Sequence, residues 1–565
     1  MKIFHINTLL TFICFNYLVN AQNPNFLWAK QFGASSYDIG QSIAVDDSGN
    51  VFTLGNFDGT VDFDPGPGIF NLTSSNGASF VSKLDASGNF IWVKQTGGSA
   101  FKVDGNGDVY ITGGFNGTVD LDPGPGIYNL NPVGDGDMFI SKLDASGNFI
   151  WARQIGGANS VVGSNAISFD TNGNIYTIGG FNGTVDFDPS PDIFNLISTN
   201  NGDAFISKLD ASGNFIWAKQ LGGTNSVGIS SISLDAIGNV YTTGSFIFTS
   251  DFDPGPATYN LTGSNNGSAF VLKLDMSGDF VWAKLLGETP YHQFLSGGST
   301  SNSIYVDHLS NVYTTGSFSW IADFDPGPGT FYLDGYFGIN NTFISKLDAS
   351  GNFVWAKLLA KGPSTSQGGS VNVDASGNVY TTGTFLGAPD FDPGPGNYNL
   401  TTNGLYDIFM SKLDSDGNFL WALQFGESNN DSGGSILDPS GNIYTTGYFS
   451  GTVDFNPSEE TYNLSSAGIY DIFVLKLSSL NPCTAVSIST QPYNQSATVG
   501  GIATFNIIGD GTSPFTYQWK KNGINIPNAN NASYTTPILT MTDNGNLYIC
   551  VVMNCNGTNS ITSNN

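Results

Sequence analysis

Ser42-Ile43-Ala44-Val45-Asp46-Asp47-Ser48-Gly49-Asn50-Val51-Phe52-Thr53-Leu54-Gly55 is the stretch on which the fold turns. Strand-forming residues flank Asp46-Asp47-Ser48-Gly49-Asn50 on both sides, with the alternation of half-buried strands. In the turn, Asp46 can accept backbone N–H groups and Gly49 can take the left-handed conformation that a tight hairpin requires. The same grammar returns at Phe80 to Asp85, Ala86-Ser87-Gly88-Asn89 and Phe90-Ile91-Trp92-Val93-Lys94, a second hairpin. Four strands, a to d in chain order, therefore form one unit of about 65 residues without helical periodicity, as in a propeller blade.

The unit recurs. Trp28, Trp92, Trp151, Trp217, Trp282, Trp355 and Trp421 occupy equivalent places, 59 to 73 residues apart. Seven Asp-x-Asp/Asn-Pro cores follow them: Asp62-Phe63-Asp64-Pro65, Asp120-Leu121-Asp122-Pro123, Asp186-Phe187-Asp188-Pro189, Asp251-Phe252-Asp253-Pro254, Asp323-Phe324-Asp325-Pro326, Asp390-Phe391-Asp392-Pro393 and Asp454-Phe455-Asn456-Pro457. The chain opens at Asn25 to Lys30 with a d strand that has no c strand before it, and the seventh unit stops at Phe473 to Leu477, a c strand with no Trp strand after it. The halves complete each other, so the expected fold is all-β: a seven-bladed β-propeller over residues 22–481, closed by its N-terminal strand, which removes exposed sheet edges. An open solenoid is the alternative, but such arrays have polar terminal caps rather than matching halves.

The stretches Gly33 to Gly55 and Ser79-Phe80-Val81-Ser82-Lys83-Leu84-Asp85 resemble the secreted bacterial β-propeller repeat family called SBBP, over about residues 26–477. That resemblance implies a propeller fold and an extracellular protein, and it names no ligand. The fifth unit departs, with Ser310 where the hairpin glycine should stand and His308 nearby; the seventh has Ser478 in place of the turn aspartate. Both departures bear on local turns rather than on the ring.

Composition narrows function. Lys+Arg 18 against Asp+Glu 46 gives a net charge of −28, which repels phosphate backbones and anionic headgroups, so nucleic acid is not an expected partner. Residues 1–21 read as a signal peptide: Lys2, an apolar run from Leu9 to Val19, then Val19-Asn20-Ala21, with the mature chain starting at Gln22. No later stretch approaches the ~20 apolar residues of a membrane span. Secretion to the extracellular space or cell surface is the expectation.

After Asn481-Pro482 the period is lost. Gly501 to Ile507, Tyr517-Gln518-Trp519-Lys520-Lys521-Asn522-Gly523, Asp543 and Tyr548-Ile549-Cys550 follow the order of strands B, C and F of an immunoglobulin-like sandwich, resembling domains appended to secreted bacterial proteins. Residues 482–565 are read as that module, with Trp519 in its core, and as cut short because the last strand, Asn559 to Asn565, ends abruptly. Ile507 stands where the B-strand cysteine belongs, which makes Cys550 a buried, unpaired thiol. Cys483 and Cys555 are the favoured pair among the three possible pairings.

Chemistry could reside in the Asp-x-Asp-Pro segments, which as b–c connections are expected to form a crown on one face of the ring. Alternation puts Asp62 and Asp64 on one side and Phe63 on the other, before Pro65-Gly66-Pro67-Gly68 reverses the chain. The structural interpretation has Phe packing on the blade and Asp capping turn amides. The functional one is oxygen-ligand binding of a hard cation such as Ca²⁺ by Asp62, Asp64, Asp120, Asp122, Asp186, Asp188, Asp251, Asp253, Asp323, Asp325, Asp390, Asp392 and Asp454, although a third carboxylate and a bidentate Glu are lacking. Asp104-Gly105-Asn106-Gly107-Asp108 resembles half a calcium loop but occupies a hairpin position that is a turn in other units. Tyr291 and His292, in the long connection Glu288 to Ser299, are candidate ligand contacts. After residue 21 the chain holds two histidines, His292 and His308, and one arginine, Arg153, which leaves little material for zinc clusters or His-activated nucleophiles.

The expected function is a non-catalytic extracellular binding or adhesion scaffold, using propeller loops for multivalent contact with protein or glycan. The rivals are a carbohydrate-active enzyme using aspartates and a purely structural surface protein.

Overall fold

The computed structural model describes residues 23–199, 202–222, 226–288, 297–336, 338–426, 431–478, 486–511, 515–527, 529–554 and 559–564. Among them the chain is all-β, with no α-helix and one 3-10 turn at Met541–Asp543. Two compact units divide the chain, Met1–Ser478 and Ser479–Asn565.

Among the described residues the first unit contains seven four-stranded antiparallel sheets. In the first sheet, strands a to d are Ile39–Val45, Val51–Asp62, Asn71–Leu84 and Phe90–Thr96. Five further sheets repeat this order. The seventh takes Ser432–Leu437, Ile443–Phe449 and Asp471–Ser478 from the end of the unit, and its outer strand is Asn25–Phe32 from the beginning. Asn25–Phe32 runs antiparallel to Asp471–Ser478 with Ala29 opposite Leu475 and a register shift between Phe26 and Trp28. The first sheet has the corresponding shift between Lys83 and Leu84, opposite Trp92 and Phe90. The N-terminal strand thus reproduces the geometry of a d strand that follows its c strand directly.

The apolar residues that alternation turns away from solvent meet between neighbouring sheets. Ala44 and Phe52 of the first unit share a core with Phe101 and Val103 of the second. Tyr444, Ile472 and Val474 of the seventh share one with Ile43, Val51 and Phe57 of the first. Tyr37 and Tyr470 add a parallel bridge at that same junction. Each fully buried Phe contributes about 1.5–3 kcal/mol.

Turn chemistry follows the sequence. Asp46 Oδ1 accepts from the N–H groups of Ser48 and Asn50, and Gly49 sits at φ +78°. Asp104 uses the same two acceptor contacts, toward Asn106 and Asp108. In the fifth unit Ser310 adopts the left-handed conformation itself, at φ 61°, and Asp307 makes the same contacts, so the turn survives without glycine.

In the second unit a four-stranded sheet is ordered Ile524–Asn525, Thr516–Lys521, Tyr548–Asn554, Asn559–Thr562, with Trp519 opposite Cys550. Trp519, Ile507, Cys550 and Val552 form its core. The Trp519 indole donates to Asn531 O at 2.9 Å. Cys550 is a free, buried cysteine whose thiol is pushed up to about 11 by burial. Cys483 and Cys555 lie outside the described residues, as do residues 1–22.

Candidate functional site: hairpins folded over the outer strands

Each Asp-x-Asp/Asn-Pro segment opens a short hairpin between strands b and c. Thr184–Asp186 pairs with Asn195–Ile197, and Thr452–Asp454 with Asn463–Ser465. In the first unit the hairpin continues the main strands, with Asp62 opposite Asn71.

The side chain between the two acidic residues anchors the hairpin. Phe63, Phe187, Phe252, Phe324, Phe391 and Phe455 are buried, as is Leu121 in the second unit. Phe63 packs 4.7 Å from the Phe80 ring on strand c, and Phe324 4.7 Å from Phe343.

The carboxylates are occupied with the turn itself. Asp62 Oδ1 accepts from Asp64 N at 3.1 Å and Phe70 N at 2.8 Å, while Asp64 Oδ1 accepts from Gly66 N at 2.8 Å. The pattern is kept by Asp120 and Asp122, Asp186 and Asp188, Asp251 and Asp253, Asp323 and Asp325, Asp390 and Asp392, and by Asp454 with Asn456 in the seventh unit. Among the described residues no three His, Cys, Asp or Glu side chains are grouped so as to hold a metal ion.

The expected crown on one face of the ring needs correction, because the hairpins fold back. Phe70, Tyr128, Phe194, Tyr259, Phe331, Tyr398 and Tyr462 each lay one ring against the phenylalanine that starts a d strand: Phe90, Phe149, Phe215, Phe280, Phe353, Phe419 and Phe26. The centroid distances run from 4.7 to 5.1 Å. Tyr128 also donates to Ala152 O, and Tyr462 to Ala29 O, both on the d strand. Burial of these rings turns the hairpins onto the flank of the outermost strand, yet each ring stays exposed on its other side, Tyr259 at 40%.

Two consecutive hairpins leave a groove between them. Between the fourth and fifth, a groove of about 510 Å³ is lined by Tyr259 and Leu261 of one hairpin, Ala283 to Leu285 of the d strand, and Asp323, Asp325, Thr330 and Tyr332 of the next, with Glu288 at its end. Glu288 and Asp323 exchange both backbone hydrogen bonds, at 3.0 and 2.8 Å. Tyr291 and His292 lie outside the described residues. Tyr259 and Tyr332 went unnoticed in the sequence, and Glu288 figured there only as the start of a long connection, because the aspartates dominate it; the signal available was Tyr332 standing where other units carry Asn.

The turn aspartate Asp85 lies at the opposite end, between strands c and d. Burial acts against ionisation of Asp85, but N–H groups of Asn89, Ser87 and Gly88 and the Asn89 amide outweigh it and hold the carboxyl below its usual range. The c-strand lysines work at this end: Lys83 lies 3.8 Å from Asp46 and donates to Ala145 O of the next unit at 3.0 Å.

The beta-propeller repeat model SBBP matches residues 27–59, 150–180 and 420–448. Three stretches of the chain are thus similar to β-propeller repeats. A curated relative, the uncharacterized WD repeat-containing protein L264 of Acanthamoeba polyphaga mimivirus, is 27% identical over 439 residues, 65% of this chain. The match spans 31% of that relative's length. Among solved structures, a europium-containing methanol dehydrogenase overlaps 81% of this chain and 94% of its own at 11% identity, with a TM-score of 0.33. The N-terminal four Ig domains of Dscam1 isoform 4.44 overlap 61% of this chain and 99% of their own at 9% identity, with a TM-score of 0.16. No helix among the described residues is long and apolar enough to cross a membrane.

Proposed function

We infer that the first unit is a closed seven-bladed propeller acting as a secreted, non-catalytic binding scaffold, with its rim hairpins as the contact surface. The observation that carries this reading is the repeated display of a half-exposed aromatic ring on every hairpin, beside paired carboxylates in six of them and Asp454 with Asn456 in the seventh. Seven copies of one small contact suit a multivalent partner, because linked weak contacts raise overall affinity without any new chemistry. The carboxylates support binding rather than turnover. A general acid and a nucleophile need environments that push their pKa values apart, whereas these side chains repeat one environment and cap turns.

Ring closure is supported by the pairing of Asn25–Phe32 with Asp471–Ser478 and by the core shared across the first and seventh sheets. The reading of residues 482–565 as an immunoglobulin-like module, serving as spacer or second contact surface, draws support from buried Trp519 against Cys550 and from Tyr548, whose ring lies 4.8 Å from Phe505. Export through residues 1–21 completes the proposal. It is tested by expressing the full chain in a secreting host and sequencing the N-terminus of the released protein, where Gln22 is expected.

The binding reading is tested by presenting the full chain to immobilised glycans and to extracellular matrix proteins. Saturable binding without product release is the expected result. Hydrolysis of any bound polysaccharide overturns the non-catalytic assignment.

A further inference from the structure

Two junctions in the rim carry charged side chains where two others carry glycine, and one of them coincides with the groove described above. The residue opposite the first hairpin aspartate is Asn71, Asn129, Asn195, Asn260, Asn399 and Asn463 in six units, but Tyr332 in the fifth, 52% exposed. The residue that bridges from the end of strand d to that aspartate is Gly156 before the third hairpin and Gly222 before the fourth, but Glu288 before the fifth. At the sixth it is Lys361, whose ammonium donates to Gly394 O at 2.8 Å. Architecture repeats, so Tyr332, which departs from the asparagine of six other units and lines the groove, calls for a local cause; Glu288 stands beside it, in a Gly-Glu step that recurs in sequence at Gly426-Glu427.

The groove is walled by two tyrosines, Tyr259 and Tyr332, and holds the carboxylates of Glu288, Asp323 and Asp325 with Lys284. Asp323 and Asp325 each use Oδ1 for turn amides, and among the described residues neither Oδ2 nor the Glu288 carboxylate has a hydrogen-bond partner. These acceptors are too dispersed for one cation. Spread acceptors beside ring faces instead match a ligand that presents hydroxyls around its edge and C–H bonds on its face. Three acidic residues in the lining repel acidic groups, and the Lys284 charge acts on Asp348 of the next unit.

We propose that the groove between the fourth and fifth hairpins is a saccharide site for neutral or amino-sugar chains. Tyr259 and Tyr332 stack on sugar faces, and Glu288, Asp323 and Asp325 accept hydroxyl or ammonium protons. The assignment rests on the binding-scaffold reading and gives it a ligand class.

The test exploits the repeat, because sibling units supply substitutions the fold already tolerates: Tyr332→Asn and Glu288→Gly. The full chain is titrated calorimetrically with soluble neutral, glucosamine and uronic-acid oligosaccharides, and melts are recorded for every variant. Binding of the neutral or glucosamine series, weakened by at least about tenfold in Tyr332→Asn and weakened in Glu288→Gly with melts unchanged, is the expected result. Lys361→Gly, at the next junction, should leave affinity unaltered. Affinity unmoved by both groove variants, or a preference for the uronic-acid series, overturns the site while leaving the scaffold reading in place. A chain that binds no saccharide but binds a matrix protein overturns the site alone, and a chain that binds neither overturns both.

Discussion

Lys476 Nζ donates a 2.9 Å hydrogen bond to the carbonyl of Ala86, 390 residues away in sequence. The Trp28 indole donates to the same oxygen at 3.2 Å. Lys83 and Trp92 do the same to Ala145 O, at 3.0 and 3.2 Å. The junction between the last sheet and the first is therefore chemically the junction found between the first and the second. Burial pulls the Lys476 ammonium below its usual range, while Asp438 and Asp85 act the other way. Its position over the Tyr444 ring, 5.0 Å from the centroid, supplies a second favourable contact.

Removing residues 1–32 should therefore strip the outer strand from the seventh sheet and expose the edge of Asp471–Ser478. A lowered melting temperature and concentration-dependent association are expected, read by calorimetry and light scattering. A synthetic peptide of residues 25–32 added in trans should raise the melt again. An unchanged melt after deletion overturns closure.

Ser310 tests how much a missing glycine costs. Its left-handed conformation carries about 1–2 kcal/mol of strain, of which Ser310→Gly loses about 0.4–1 kcal/mol to the freer unfolded chain. Ser310→Gly should therefore stabilise the protein by about 0.5–1 kcal/mol in urea unfolding. A loss of stability contradicts the strain.

The two aromatic rings of one hairpin should separate cleanly. Phe63 is fully buried against Phe80, so Phe63→Ala should cost about 3–5 kcal/mol. Phe70 is 42% exposed and rests one side on Phe90, so Phe70→Ala should cost about 1 kcal/mol. Chemical denaturation of the two variants decides, and equal losses contradict the anchoring role of Phe63.

Asp471 makes stability pH-dependent in an unusual direction. Its carboxyl is pushed above the usual 3.8 by burial, against the hydrogen bonds from Ala467 N and the Gln31 amide that favour the ionised form. Asp38, across the same junction, is raised by burial as well, with the Asp471 and Asp58 charges adding to it. A folded-state pKa above the unfolded one gives a contribution that is complete below the unfolded pKa and is lost as pH rises through the folded one. Asp471→Asn should thus gain stability relative to the parent between about pH 4 and about pH 7. A constant difference across that range contradicts the assignment.

Chelation probes the hairpin carboxylates. Because Oδ1 of each first aspartate already accepts two backbone N–H groups, EDTA should leave the melting temperature unchanged. A fall reversed by added calcium would show that the outward oxygens hold a cation and that the turns form around it.

Much of this molecule was determined by short-range signals. Asp-x-x-Gly-Asn turns, strand alternation and a tryptophan at each repeat act within a few residues of themselves, so the sequence alone specified four-stranded units and the complementary fragments at the two ends of the array. The left-handed Ser310 shows the limit of that grammar: Asp307 and Asn311 keep the turn by contacts that residue identity at one position does not reveal. Where the hairpins go was decided only by tertiary packing. Phe63 must find Phe80, and Phe70 must find Phe90, so the direction of each hairpin depends on surfaces that exist once strands c and d are assembled. The convergence of Tyr259, Glu288 and Tyr332 on one groove has the same origin, since residues far apart in the chain become neighbours only when one unit's outer strand lies beside the next unit's hairpin.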